Sequence, residues 1–113
     1  MTKVLIVDDS PEIRKLIRQV ASESCDEVFE CEDGDEVIAA FECHQPDWVL
    51  MDLEMKRVDG LKATASLMQL HPEAKVIIVT NFQDNMTRLA AAEAGARYFV
   101  GKDELLTLRF LIQ

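Results

Sequence analysis

Five residues of this chain stand where polar side chains could do ionic chemistry, each at the end of an apolar run. Asp8 and Asp9 follow Val4-Leu5-Ile6-Val7, and Asp52 follows Trp48-Val49-Leu50-Met51. Thr80 follows Val76-Ile77-Ile78-Val79, and Lys102 closes the stretch from Arg97 to Gly101. Neighbouring carboxylates repel: at about 4 Å and an effective dielectric of roughly 20 the cost is about 4 kcal/mol. Either a cation sits beside Asp8 and Asp9 or one of them is protonated. A single Asp after a strand is ordinarily a helix cap or turn former. Three carboxylates, a hydroxyl and an amine converging from four strands exceed turn chemistry. Clustered acids favour a hard divalent cation, and an incomplete oxygen shell that keeps waters suits Mg²⁺. That cation, with Lys102 and Thr80, makes a pocket for a phosphoryl group rather than a neutral ligand.

The elements that must position these groups follow from periodicity. The runs before Asp8, Asp52 and Thr80 are short and wholly apolar, as expected of strands buried on both faces. Asp26 to Cys31 alternates around Val28 and reads as an edge strand, and Arg97 to Val100 is a short fifth strand. Between them, Ser10-Pro11-Glu12 opens a first helix to about Glu23, with Ile13, Leu16, Ile17 and Val20 as its buried stripe. Asp33-Gly34-Asp35 opens a second, with Val37, Ile38 and Phe41 on one face. The third carries Leu61, Ala65 and Met68 and stops near His71-Pro72. An alanine-rich fourth helix over 84–94 ends at Gly95, and Asp103 caps a last helix, Glu104 to Gln113. Five strands alternating with five helices predict a flavodoxin-like doubly wound α/β fold. Its parallel five-stranded sheet has the order 2-1-3-4-5, and a crevice opens at the switch point between the first and third strands.

The chain has 113 residues, read as one domain over 1–113, with a net charge of −9. That charge argues against direct binding to nucleic acid or anionic lipid. No apolar run approaches the roughly 20 residues of a membrane span, and the start is too short for a signal peptide. Cys25, Cys31 and Cys43 lack metal-type spacing and read as free thiols of a reducing cytoplasm. His44 and His71 read as surface residues, and Trp48 as a packing residue whose fluorescence could report Mg²⁺.

Taken together, VLIVDD, WVLMD, MKRVDG, IIVT and YFVGK resemble the receiver domain of two-component response regulators, over essentially the whole chain. The resemblance implies that Asp52 is the phosphoacceptor, taking a phosphoryl group from a sensor histidine kinase or a histidine phosphotransfer protein. It implies that Asp8, Asp9 and Asp52 hold Mg²⁺, with the backbone carbonyl of Glu54 completing the site. Lys102 would contact the phosphoryl oxygens, Thr80 would move inward to hydrogen-bond them, and Phe99, three residues before Lys102, would be the switch aromatic. Such a chain is not a conventional enzyme but catalyses its own phosphorylation and dephosphorylation. The product, an acyl phosphate of about −2 charge, would bias a two-state surface. The weakly anchored fourth helix fits the moving part.

The sequence departs from the family pattern at several places. Lys56 stands where proline is usual, which implies a looser loop, and Arg57 beside it places positive charge near the entrance. Asn81 replaces a small residue and narrows access, Asp103 replaces a proline after Lys102, and Glu54 and Phe82 occupy positions that tune hydrolysis. In the last helix Leu105, Leu108, Leu111 and Ile112 share one side, while Leu106 and Phe110 form a second patch. That patch is expected to meet a downstream target or a second copy through the face of the fourth helix, fifth strand and fifth helix, more tightly after phosphorylation. No effector segment follows residue 113, which fits a stand-alone receiver or a piece of a longer regulator. A flavodoxin needs a Ser/Thr/Gly-rich phosphate loop where DDSPE stands, and a haloacid-dehalogenase-type phosphatase needs a DxD motif. A pseudo-receiver acting as a phosphorylation-independent adaptor is the alternative reading.

Overall fold

In the computed structural model, which describes residues 2–112, the apolar runs form the expected sheet. The elements are β1 (Lys3–Val7), α1 (Pro11–Ala21), β2 (Glu27–Cys31), α2 (Val37–His44), β3 (Trp48–Met51), α3 (Gly60–Leu70), β4 (Val76–Thr80), α4 (Asn85–Ala94), β5 (Tyr98–Gly101) and α5 (Leu108–Leu111). All strand pairs are parallel, in the order β2-β1-β3-β4-β5. Successive residues of a strand point to opposite faces, so a strand covered on both sides must be apolar throughout. Leu5, Val7, Val49, Met51 and Ile78 face α2, α3 and α4, whereas Val4, Ile6, Leu50, Ile77 and Val79 face α1 and α5. Every residue of β3 and β4 is buried.

Helix starts follow the capping signals in three cases. Ser10 Oγ accepts from Ile13 N, Asp59 from Lys62 N and Asp84 from Thr87 N, each satisfying an amide that the first turn leaves unpaired. Gly95 ends α4 in the left-handed conformation at φ 109°.

Four expectations are corrected. In α1, Leu16 is 48% exposed, and the buried stripe is Ile17 and Ala21 with Ile13 and Val20 at its margins. In α3, Ala65 is exposed, because Ala63, Thr64 and Leu67 turn to the sheet. Asp33 caps a single 3₁₀ turn (Gly34–Glu36), and α2 begins only after it. The last segment is mainly a 3₁₀ stretch, Lys102–Thr107, before a short α5. Asp103 does not cap it: its Oδ1 accepts from Gln83 Nε2 at 3.0 Å, so its oxygen is turned toward the β4–α4 loop. The expected end of that helix at Gln113 lies outside the described residues. Leu108 and Ile112 are buried and Leu105 and Leu111 partly so, while Leu106 and Phe110 face out, as the pattern predicts.

The histidines are more integrated than surface residues. His44 stacks on Phe29 at 3.9 Å, and His71 packs on Phe41 and meets Glu42 at 2.9 Å. All three cysteines are free.

Candidate functional site

Parallel pairing brings the acids together. β1 and β3 are in register from Val4↔Trp48 to Val7↔Met51, so the next residue of each strand, Asp8 and Asp52, emerges on the same edge. Backbone bonds fix both: Asp52 N donates to Val7 O at 2.9 Å, and Asp8 N to Cys31 O at 3.2 Å. Both side chains are buried, and together with the more open Asp9 they offer ligand atoms that all lie within 4.8 Å of one another. Lys102, delivered by the β5 end, places its ammonium 3.1 Å from Asp8 Oδ2 and 3.1 Å from Asp52 Oδ1. The repulsion between acids is therefore partly neutralised by one amine lying between the two buried ones.

Charge remains unbalanced, with three carboxylates against one ammonium. Burial, and then the charge of Asp8, push the Asp52 carboxyl up to about 6, although Lys102 pulls the other way. Burial opposes the charge of Lys102, but Asp52 and Asp8 outweigh it and raise its value. Asp8 Oδ1 accepts from Ser10 N at 2.9 Å, while the buried Oδ2 has no aligned hydrogen bond despite the nearby ammonium. A buried carboxylate oxygen with a free lone pair beside two other acids is the donor set of a hard, oxygen-seeking cation. The residues present fit Mg²⁺.

The other expected residues stand around this cluster. Thr80, buried at the end of β4, accepts from Phe82 N through its Oγ1 at 3.1 Å, which leaves its own proton free to donate. Phe99 packs on the α2–α4 side of the sheet, with the Arg88 guanidinium 4.7 Å above its ring. Tyr98, the preceding residue of β5, points to the other side, 5.9 Å from Trp48. Glu54 has an exposed side chain on the loop after β3. Trp48 lies at the opposite end of β3 from Asp52, under Lys75 at 4.4 Å, a poor place to sense a cation.

Two expectations about the β3–α3 loop are overturned. Arg57 does not charge the entrance: its guanidinium is held by Asp35 at 2.8 and 3.1 Å and by Glu36 at 3.3 Å. Nor is the loop left loose by Lys56, because Asp33 accepts from Arg57 N and Val58 N at 2.9 and 2.8 Å. In the sequence Asp33 signals only the opening of a helix, and the burial that makes it more than that has no sequence signature. Arg14 was not singled out either. It is nearly buried, donates to Asp8 O through Nη1 at 2.6 Å and pairs with Glu30 at 2.8 Å, bracing the β1 end against β2. The spacing of Arg14 and Arg18 on the α1 face above Glu30 was the available signal.

A doubly wound sheet with an acidic cluster and a lysine at its switch point defines an α/β domain whose crevice is built for charged ligands. A family model described as the response regulator receiver domain matches residues 4–109. The chain is 36% identical over 103 residues to the chemotaxis protein CheY of Listeria monocytogenes, covering 90% of this chain and 87% of that protein. It is 32% identical over 100 residues to CheY of Halobacterium salinarum, covering 88% and 83%. Among solved structures, the CheX-CheY-BeF3-Mg complex of Borrelia burgdorferi matches with a TM-score of 0.87 at 26% identity, over 97% of this chain and 87% of that one. The chain belongs to the response regulator receiver domain family, the phosphoacceptor modules of two-component signalling.

Proposed function

We propose that Asp52 accepts a phosphoryl group from the phosphohistidine of a sensor histidine kinase or histidine phosphotransfer protein, in a Mg²⁺-dependent reaction that this chain's own residues promote. The observation that carries this reading is the trio of buried Asp8, buried Asp52 and partly buried Lys102, in which one ammonium lies 3.1 Å from both carboxylates. Asp8, Asp9 and Asp52, with the Glu54 carbonyl, would hold Mg²⁺. When bound, the cation neutralises charge on the phosphoryl oxygens and so permits attack by an anion. Asp52 supplies that anion: one of its carboxylate oxygens bonds to phosphorus as the phosphorus–nitrogen bond breaks, and the imidazole leaves with the electron pair. Lys102 turns from Asp52 to an oxygen of the transferred group. Thr80 moves inward and donates a hydrogen bond from its hydroxyl to another, and the space it leaves is where Phe99 turns inward.

The Borrelia relative is described as a complex with BeF3 and Mg, the ligand pair that this donor set suits. The output is an interaction face around α4, β5 and α5, where Met86 is 82% and Phe110 75% exposed and Leu89 and Leu106 are also uncovered. Its partner is a downstream protein or a second copy. Beryllofluoride with Mg²⁺, followed by amide NMR, tests the reading. Shifts are expected at Thr80, at Phe99 and along α4, and are expected to vanish in Asp52→Asn. Spectra unchanged by the addition of beryllofluoride and Mg²⁺ would favour the phosphorylation-independent adaptor instead.

A further inference from the structure

In the site proposed above the β3–α3 loop presents the Glu54 carbonyl beside Asp52, and that loop is held from outside itself. Its far end is fixed locally, since Gly60 N donates to Leu53 O at 2.9 Å. Its middle is held by a residue from a different turn. Asp33 is 2% exposed; its Oδ2 accepts from Arg57 N at 2.9 Å and its Oδ1 from Val58 N and Gly34 N, each at 2.8 Å. A helix cap satisfies amides of its own turn. Only Gly34 N fits that description, so capping accounts for one bond of three. The two turns also touch backbone to backbone: a Cβ on Gly34 would stand 2.4 Å from Val58 O. Outside, Arg57 forks onto Asp35, an exposed pair that contributes little by comparison.

The buried bonds are the consequential ones. A desolvated carboxylate that loses its amide donors is left uncompensated, at a cost well above that of an exposed pair. Burial opposes ionisation of Asp33, yet the three backbone donors together hold its carboxyl below the ordinary range. The linkage is closed at the other end too. Asp8 N donates to Cys31 O at the end of β2, two residues before Asp33, so a cation-site carboxylate and the loop after Asp52 are tied to adjoining parts of one segment.

We propose that Asp33 is a positioning residue of the phosphoryl-transfer site, fixing through Arg57 N and Val58 N the loop that presents the Glu54 carbonyl. This rests on the assignment of Asp52, Asp8 and Asp9 above. It makes Mg²⁺ affinity depend on a side chain that contacts neither the metal nor the phosphoryl group. Second-layer groups of this kind are worth about 10–100-fold in metal affinity. Coupling is reciprocal, so bound Mg²⁺ must in turn tighten the Asp33 contacts.

The test is Mg²⁺ titration by calorimetry on the full chain, its Asp33→Ala variant and Asp35→Asn. The last removes the same charge and the Arg57 fork but leaves the buried bonds. The expected result is a loss of about tenfold or more in Mg²⁺ affinity for Asp33→Ala, and less than about twofold for Asp35→Asn. Equal affinities in a folded Asp33→Ala with a lowered melting temperature would show a purely structural role and overturn the proposal. So would equal losses in both variants, which would reduce it to charge. Amide exchange in the unsubstituted chain does not depend on the variant folding. There Mg²⁺ is expected to slow exchange at Arg57 and Val58, and unchanged rates at saturating Mg²⁺ contradict the coupling. An unsubstituted chain that binds no Mg²⁺ refutes the metal site itself, a different failure from a site indifferent to Asp33.

Discussion

At the scale of single residues, the unusual quantity is the elevation of Asp52. Its folded value near 6 stands above the ordinary 3.8. A carboxyl with a raised folded value binds its proton more tightly in the folded chain, so its ionisation is resisted by the fold. The metal-free protein therefore loses stability as pH rises from about 4 to about 6, by about 3 kcal/mol from this group. Asp33 and Glu30 are lowered and act with the opposite sign, losing stability as pH falls, but they are common to the parent and an Asp52 variant and cancel in their difference. Metal-free Asp52→Asn is expected to match the parent near pH 4 and exceed it by about 3 kcal/mol near pH 7, read from urea unfolding midpoints. A variant no more stable than the parent near pH 7 would place the strain elsewhere. This explains which residues were legible. Asp8, Asp9, Asp52, Thr80 and Lys102 end apolar runs, so pattern alone puts them at one edge. Asp33, Arg14 and Arg57 act through bonds between segments far apart in the chain, and no local pattern encodes those partners.

At the scale of elements, the strands were read nearly to the residue, because burial on both faces demands a continuous apolar run. Helix faces were read less well. In α3 the helical period is visible and Leu61 and Met68 do pack at the margin of the core, but Ala65 faces out, since the small residues at 63 and 64 are what allow close approach to the sheet. The last segment has apolar residues at helical spacing yet is largely 3₁₀, with non-helical backbone at Glu104, while Asp103 turns to Gln83. The start of α3 also has a constraint that Asp-Gly turn chemistry does not predict. A Cβ on Gly60 would stand 2.0 Å from Asp52 O, so the helix begins in contact with the backbone of Asp52. Alanine is the better helix former by about 1 kcal/mol. The clash decides the sign: Gly60→Ala is expected to destabilise by about 2–4 kcal/mol, measured by urea unfolding. An unchanged midpoint would mean that the loop yields freely.

At the scale of the whole molecule, the two-sided core makes a rigid frame whose polar events are confined to one end of the sheet. β1, β3 and β4 lie inside and β2 and β5 at the edges, as their apolar content required. The α4 side is the exception to tight packing: Ala91 is its only fully buried residue, and large apolar side chains at Met86 and Leu89 face out. A frame packed on both faces but only lightly covered by α4 suits a switch in which a charge added at Asp52 is read on α4 and α5. All of this depends on the acceptor being Asp52 rather than one of the two conspicuous acids after β1. The decisive measurement is the intact mass of the chain after incubation with acetyl phosphate and Mg²⁺, with hydroxylamine treatment and Asp52→Asn in parallel. The account predicts one hydroxylamine-labile phosphoryl group on the parent, absent without Mg²⁺ and absent in Asp52→Asn. A labile adduct that survives the substitution would contradict it.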